Sequence, residues 1–412
     1  MYGTLALSHR AIDDLADAAG KEAISELRVL ARPIEGLRVL NLSLTGFGTG
    51  TAELLTSSVP LLTDLGLDCH WQVVRASEDV AAATRAMYQG LGGVHVNWTQ
   101  DMTDAWQRFA AMNAGLLTEP FDVVVVHDPQ PAAIRTHVQH NDAKWVLHSH
   151  LDLSSAQDDV WLQLRSHVER FDAAIFEAPE FARADLSVPV HIIPPAIDPN
   201  SARNMPLPED VIHTVLQRYG IDPAKPLVCQ VSPCDVESGL VGAVDTVVAL
   251  RRRIPDLQLA IVLTTEPQDP VCRACYEDLA RRSADAPGVF IVSMVRELGN
   301  VELNVFQRAA SVVLQRGLRK GFGLWVSDAL WKARPVVVGP APGLLKQVID
   351  GRTGLVAEND QQCEEAISRL IGDPALAARL GAAGHAHVAD RFLITRYLRD
   401  YVRMLDGLMR GS

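Results

Sequence analysis

Short runs rich in Val, Ile and Leu recur along the chain, separated by longer stretches whose apolar residues return every three or four positions. The first series of runs covers 37–42 (LRVLNL), 70–75 (HWQVVR), 122–127 (DVVVVH), 144–149 (KWVLHS), 173–177 (AAIFE) and 189–193 (PVHII). A second series covers 226–232 (PLVCQVS), 257–264 (LQLAIVLT), 287–294 (GVFIVSMV), 310–315 (ASVVLQ) and 335–339 (PVVVG). Helical patterns such as 51–66 and 101–116 lie between them. Continuous apolar strands suit a parallel sheet covered on both faces, and alternation with helices implies right-handed crossovers. The pattern therefore predicts an α/β protein with two doubly wound, Rossmann-like domains. Five prolines within 194–208 exclude both helix and central strand and mark a stiff connector. The expected organisation is residues 1–200, residues 201–385, and a helical tail at 386–412 that packs back toward the N-terminal domain.

Composition agrees with this and narrows the function. A chain of 412 residues exceeds what one core fills. With 48% hydrophobic and 21% charged residues it is neither disordered nor a disulfide-built mini-protein. The net charge of −12 opposes polyanion binding, so no nucleic-acid partner is expected. Arg251, Arg252 and Arg253 form the densest basic run and read as a solvated helix end. No run reaches the roughly 18 apolar residues of a membrane span, and the N-terminal stretch lacks a signal-peptide core. Cys69, Cys229, Cys234, Cys272, Cys275 and Cys363 are scattered, as in a reduced cytoplasmic protein. Cys272 and Cys275 form a lone CxxC with no second pair, and two small buried thiols are the simpler reading.

Ligands in open parallel sheets bind beyond the carboxyl ends of the strands, so the loops there carry the candidate chemistry. Thr45-Gly46-Phe47-Gly48-Thr49-Gly50 is a glycine-rich turn entering a helix, suited to an anion or sugar oxygen, or simply to close packing. It is not a GxGxxG nucleotide fingerprint, so hydride chemistry has no support. His127-Asp128-Pro129-Gln130-Pro131 sets three polar side chains at a strand end; the plainer alternative is that Asp128 caps the next helix. In His148-Ser149-His150-Leu151-Asp152 the two histidines share a face if extended, yet a metal needs at least a third ligand, and none is expected. Gln315 to Leu324 (QRGLRKGFGL) runs into WVSDALWKA: Gly321 and Gly323 open a helix, and Arg316, Arg319 and Lys320 add positive charge. This suits a phosphate or pyrophosphate. Lys320 and Asp328 stand eight residues apart, about two turns, so one can meet a phosphate and the other a hydroxyl farther along.

The combination of GRTGLVAEND (351–360), KGFGLWVSDALWKARPVVVG (320–339), PPAIDP (194–199) and HDPQPAA (127–133) resembles the retaining glycosyltransferases of family 4, which have the GT-B fold. Within that family, NLSLTGFGTGTAELL (41–55), VPLLTDLGLDCHW (59–71) and the HDPQP and HSHLD segments resemble the trehalose-synthase branch. The resemblance runs from about residue 36 to 405 and implies two domains with a cleft between them. It also implies a nucleotide-diphosphate sugar as co-substrate, a small hydroxylated acceptor, no required metal or other cofactor, and a possible homodimer. Carried over by position, Gly48 and Gly50 lie near the donor phosphate, with His127, Asp128, Gln130, His148, His150 and Asp152 on the sugar side. Gly321, Phe322, Gly323 and Leu324 present amides to the diphosphate, helped by Arg316 and Arg319, and Asp328 takes the ribose hydroxyls. His150, Asp128 and Lys320 are the expected catalytic set.

Several positions depart from the family pattern. Its Arg and Lys after the first strand of the second domain fall at Pro233 and Ser238, and its glutamate pair falls at Lys320 and Asp328. An expected Arg is His148, and the second glycine of a sugar-binding pair is Pro342, before Gly343. Loss of one preorganised electrostatic contact typically costs about 10²–10³ in rate; Lys320 is expected to restore part of the missing positive charge. Three readings stay open: a retaining hexosyl transferase, a phosphorylase using a sugar 1-phosphate, and an inactive homologue acting as a sugar sensor or partner subunit.

Overall fold

The computed structural model describes residues 3–47, 49–138, 142–234, 236–264, 270–293, 299–317 and 321–411. They form two compact units, Met1–Ala196 with Ile394–Ser412, and Ile197–Leu393. Among the described residues no helix is long and apolar enough to cross a membrane.

The first unit is built on β1 (Gly3–Thr4), β2 (Arg38–Ser43), β3 (Asp68–Val73), β4 (Val123–His127), β5 (Lys144–Ser149), β6 (Ala173–Phe176) and β7 (Val190–Ile192). Their spatial order is β1-β3-β2-β4-β5-β6-β7. Only β1 runs antiparallel, against β3. The VVVV run of β4 is buried along its whole length, as expected for a strand covered by helices on both faces. Chain direction across the sheet reverses between β2 and β4, and that reversal is where doubly wound sheets open a crevice at their carboxyl ends.

The second unit contains β8 (Leu227–Ser232), β9 (Gln258–Leu263), β10 (Val289–Ser293), β11 (Val312–Gln315), β12 (Val336–Val338) and β13 (Leu355–Val356). All pair in parallel, in the order β10-β9-β8-β11-β12-β13. This is the dinucleotide-type 3-2-1-4-5-6 arrangement, with its reversal between β8 and β11.

Three details differ from the sequence reading. The two-residue strands β1 and β13 were not expected, because so short a segment carries no periodicity. The expected tail at 386–412 is two helices, Pro374–Arg391 and Ile394–Arg410, broken at Phe392 and Leu393. The first belongs to the second unit and the last to the first unit. The last helix buries Ile394, Tyr397, Leu398, Tyr401, Val402 and Leu405, an i, i+3, i+4 stripe that completes a core with Leu27, Leu61 and Val125.

The connector after Ala196 is fastened to the second unit by a buried polar network. Lys332 Nζ donates to Asn204 Oδ1 at 2.9 Å, to Gln307 Oε1 at 2.8 Å and to the Asp328 carbonyl at 3.0 Å. Asn204 Nδ2 in turn donates to Asp328 Oδ1 at 2.8 Å. Burial pushes the Lys332 ammonium down to about 7, against the pull of the Asp328 carboxylate. The unfolded lysine ordinarily titrates near 10.4. Between these values the unfolded chain holds the extra proton, so this group's contribution makes stability rise with pH from about 7 to about 10. Thermal melts across that window should show a shallower rise in Lys332→Met than in the wild type.

Candidate functional site

At the switch point of the first unit, the loop after β2 is anchored from both ends. Trp71 Nε1 donates to Ser43 Oγ at 2.7 Å, and Ser43 Oγ donates to the Thr45 carbonyl at 3.0 Å. Thr49 caps the following helix, Gly50–Asp64, accepting from the Ala52 amide at 3.2 Å. Two glycines of this loop play different parts. A Cβ on Gly46 would stand 2.8 Å from Leu5 Cδ1, so a larger residue there would make the Leu5 side chain shift. A Cβ on Gly50 would meet nothing within 4 Å, so packing does not account for it, and the helix begins beside open space. Gly48 lies outside the described residues.

Across the switch point, Asp128 follows β4 in the left-handed conformation, with φ of 69°, rare for a residue with a side chain. Its amide donates to the His148 carbonyl at 2.9 Å, and its Oδ2 accepts from Thr51 Oγ1 at 3.2 Å. Asp128 therefore does not cap the short helix Ile134–His137, whose N-cap is Ala133; it ties the β4 loop to the helix entered by the glycine-rich turn. A strained residue held by two partners at a strand end is characteristic of functional loops. Gln130 is buried, with its carbonyl accepting from Trp106 Nε1 at 2.6 Å and its Oε1 meeting no partner. Asp152 is half-buried and turns back to accept from the Ser154 amide at 2.9 Å.

The parallel register pairs His127 with His148 on neighbouring strands. His150 follows just past β5, and the three rings cluster, with His148–His150 centroids 4.1 Å apart and His127–His150 centroids 5.4 Å apart. His127 Nε2 lies 3.0 Å from Asn41 Oδ1, and His127 Nδ1 lies 3.1 Å from His150 Nε2. His150 Nδ1 lies 3.1 Å from Glu177 Oε1. Burial pushes His127 and His148 well below the ordinary histidine value, and the neighbouring His150 adds to this. Burial also pulls on His150, but the hydrogen bond to Glu177 and the charges of Asp128 and Glu177 outweigh it and raise it. His148 was expected to line the sugar side; it is wholly buried, so it backs the rim from behind. Asn41 and Glu177 were missed by sequence reasoning. Each stands inside or just past an otherwise apolar strand, and a lone polar residue there was the available signal.

The loops at the switch point of the second unit hold the remaining candidates. Gly321 and Gly323 both take positive φ, 71° and 73°, which favours glycine at each. Phe322 between them is buried and packs its ring 5.5 Å from Phe392, so its side chain anchors the loop while its backbone stays with the glycines. Leu324 is the N-cap of the helix Trp325–Trp331. A fully buried residue that sequence reasoning missed, Gln347, clamps this turn. Its Nε2 donates to the Phe322 carbonyl and, at 3.1 Å, to the Gly343 carbonyl. Its Oε1 accepts from the Ser327 amide at 2.9 Å and Ser327 Oγ at 2.6 Å. Gly343 is required at its place, since a Cβ would stand 2.4 Å from the Gly321 carbonyl oxygen.

Two charged candidates in this unit differ from their expected roles. Arg316 donates to Thr246 Oγ1 at 3.2 Å and forms an ion pair with Asp360, so its charge is already matched by a carboxylate. Asp328 is buried, accepting from Asn204 and lying 3.8 Å from Arg203, so its carboxylate serves the connector network described above. Arg319 and Lys320 lie outside the described residues. Ser238, at the place of an expected lysine, is buried, with its carbonyl accepting from Gln230 at 2.7 Å. Cys275 is buried in the core, Cys272 packs against that core, and neither forms a disulfide.

Comparison with known proteins matches residues 41–183 to the family described as trehalose synthase, N-terminal domain, and residues 214–387 to glycosyl transferases group 1. The trehalose synthase of Pyrococcus horikoshii is 31% identical over 97% of this chain and 97% of its own length. That of Rubrobacter xylanophilus is 32% identical over 97% and 98%. Among solved structures, the Escherichia coli trehalose-6-phosphate protein bound with UDP-2-fluoro glucose superposes with a TM-score of 0.71 at 14% identity, covering 90% of this chain and 99% of that one. The GT-B fold is thereby shown, and with similarity to these enzymes over nearly its whole length the chain belongs to the trehalose synthase family of glycosyltransferases.

Proposed function

We propose that the protein is a retaining hexosyltransferase that moves a sugar from a nucleotide-diphosphate sugar to a small hydroxylated acceptor. The acceptor oxygen forms its bond to the anomeric carbon on the face from which the diphosphate leaves, and the leaving phosphate oxygen takes the acceptor's proton. Such a step needs positioned partners and charge stabilisation and no protein nucleophile. The relatives named trehalose synthase support a glucosyl donor and a glucose acceptor.

The observation that carries this reading is the strained Asp128 at the switch point, held by Thr51 beside the open space at Gly50. It offers a carboxylate to sugar hydroxyls, next to His150, the least buried of the three histidines. In the second unit the amides of the Gly321–Leu324 turn, held by Gln347, are assigned to the diphosphate. A specific observation favours a rival reading, an inactive homologue that senses sugars: Arg316 and Asp328 are occupied by internal partners, and Pro233 and Ser238 carry no charge.

Product analysis with glucose and a panel of nucleotide sugars separates the two. Transfer with a retained anomeric configuration is expected; no product together with no diphosphate binding at millimolar concentration selects the sensor. Uptake of inorganic phosphate during breakdown of the product would instead mark a phosphorylase. Asp128→Asn keeps a side chain that tolerates the left-handed backbone and removes only the charge. It should lower kcat/KM by about 10²-fold while calorimetric affinity for the diphosphate stays unchanged. Gln347→Ala, by contrast, should weaken that affinity about tenfold, the equivalent of one net hydrogen bond.

A further inference from the structure

The three histidines of the first unit form a constellation that sugar contact does not explain. Asn41 Nδ2 donates to the His70 carbonyl at 3.2 Å, which leaves Asn41 Oδ1 as an acceptor. The ring nitrogen facing it, His127 Nε2, must then carry hydrogen, and His127 Nδ1 presents a lone pair. The same logic applies to His150. Its Nδ1 faces the Glu177 carboxylate and carries hydrogen, so in the neutral ring Nε2 presents a lone pair as well. With both rings neutral, two lone-pair nitrogens would face one another across 3.1 Å, and either a proton on His150 or a metal ion between them removes the conflict. Two acceptors face to face repel unless something positive stands between them. His148 brings a ring nitrogen that, with ligand nitrogens of the other two, falls within a 4.8 Å group. His148 is wholly buried, and its Nδ1 meets no hydrogen-bond partner.

We propose that His127, His148 and His150 bind a divalent transition metal of the zinc class. Three neutral imidazoles with one position left open are a recurrent donor set for zinc, and imidazole also suits nickel, cobalt and copper. The outer partners have the expected form too. A ligating histidine commonly gives its other N–H to a carboxylate or carbonyl oxygen, and Glu177 and Asn41 occupy those places for His150 and His127. His150, 12% exposed at its side chain, is the member through which an ion enters. The sequence alone did not reach this site because only His148 and His150 are neighbours in the chain. The third ligand arrives through the β4–β5 register. The inference goes beyond sugar transfer and does not depend on it.

The test uses the full-length protein, stripped with a chelator, dialysed against zinc and analysed for metal content. One equivalent is expected, together with the visible absorption of low-symmetry cobalt when Co²⁺ replaces zinc. His148→Ala should reduce affinity by at least about tenfold, and Glu177→Gln, which touches no ion, by about 10–100-fold. Cys272→Ser with Cys275→Ser should leave binding unchanged. If His148→Ala fails to fold, Glu177→Gln and the zinc-dependent rise in wild-type melting temperature give the answer, since an ion that binds only the folded state raises that temperature. Zinc content below a tenth of an equivalent would overturn the proposal and leave a shared proton between His127 and His150. Equal zinc binding by wild type and Glu177→Gln would overturn it too, because the ion would then sit elsewhere.

Discussion

In both sheets the central strands are buried on both faces, so the only places where they can meet a ligand are their ends. That constraint organises everything else in the molecule. The parallel direction gathers the carboxyl ends along one edge, and the reversal of chain order parts neighbouring loops at a single point in each unit. In the first unit this brings together the turn after β2 and the His127–Gln130 segment, and the register of β4 with β5 sets two imidazoles side by side. In the second unit it brings together the loops after β8 and β11, joined at their base by Gln315 Nε2 donating to Ser232 Oγ at 3.1 Å.

The two switch points differ in how their polar groups are used. In the first, Asp128 is linked to Thr51, and His127 and His150 face one another at the centre with Asn41 and Glu177 behind them. In the second, among the described residues, Asp360 answers Arg316, and Asn204 answers one oxygen of Asp328, whose other oxygen lies 3.8 Å from Arg203. Its described turn depends for its conformation on two glycines and on Gln347 behind them. Carbonyl clamping by a buried amide is a means of fixing such a turn without spending a charge.

The strands with continuous apolar runs were legible in the sequence to within one or two residues, because a run such as Val123–Val126 admits few alternatives. The candidate loops were legible for the same reason, as they are where those runs stop. Side-chain partners were not. Whether Asp128 capped a helix or reached Thr51 depends on a contact between residues 77 positions apart, and the pairing of Arg316 with Asp360 spans 44. Glu177 closes the run AAIFE, where the sequence shows only the end of a strand. Gln347 carries no motif, and Asn41, though it opens NLSLTGFGTGTAELL, shows its role only through the partner that folding gives it, as Gln347 does.

The division of the chain has a consequence for how the protein is made. The second unit is one continuous stretch, Ile197–Leu393, whereas the first needs both ends of the polypeptide. Tyr397 lies against His148, with ring centroids 6.2 Å apart, and belongs to the last helix. The second unit can therefore close from one stretch of chain, whereas the first must recruit a segment from beyond the second. Until Ile394–Arg410 is recruited, the first unit lacks both the apolar stripe that completes its core and the ring that lies against His148.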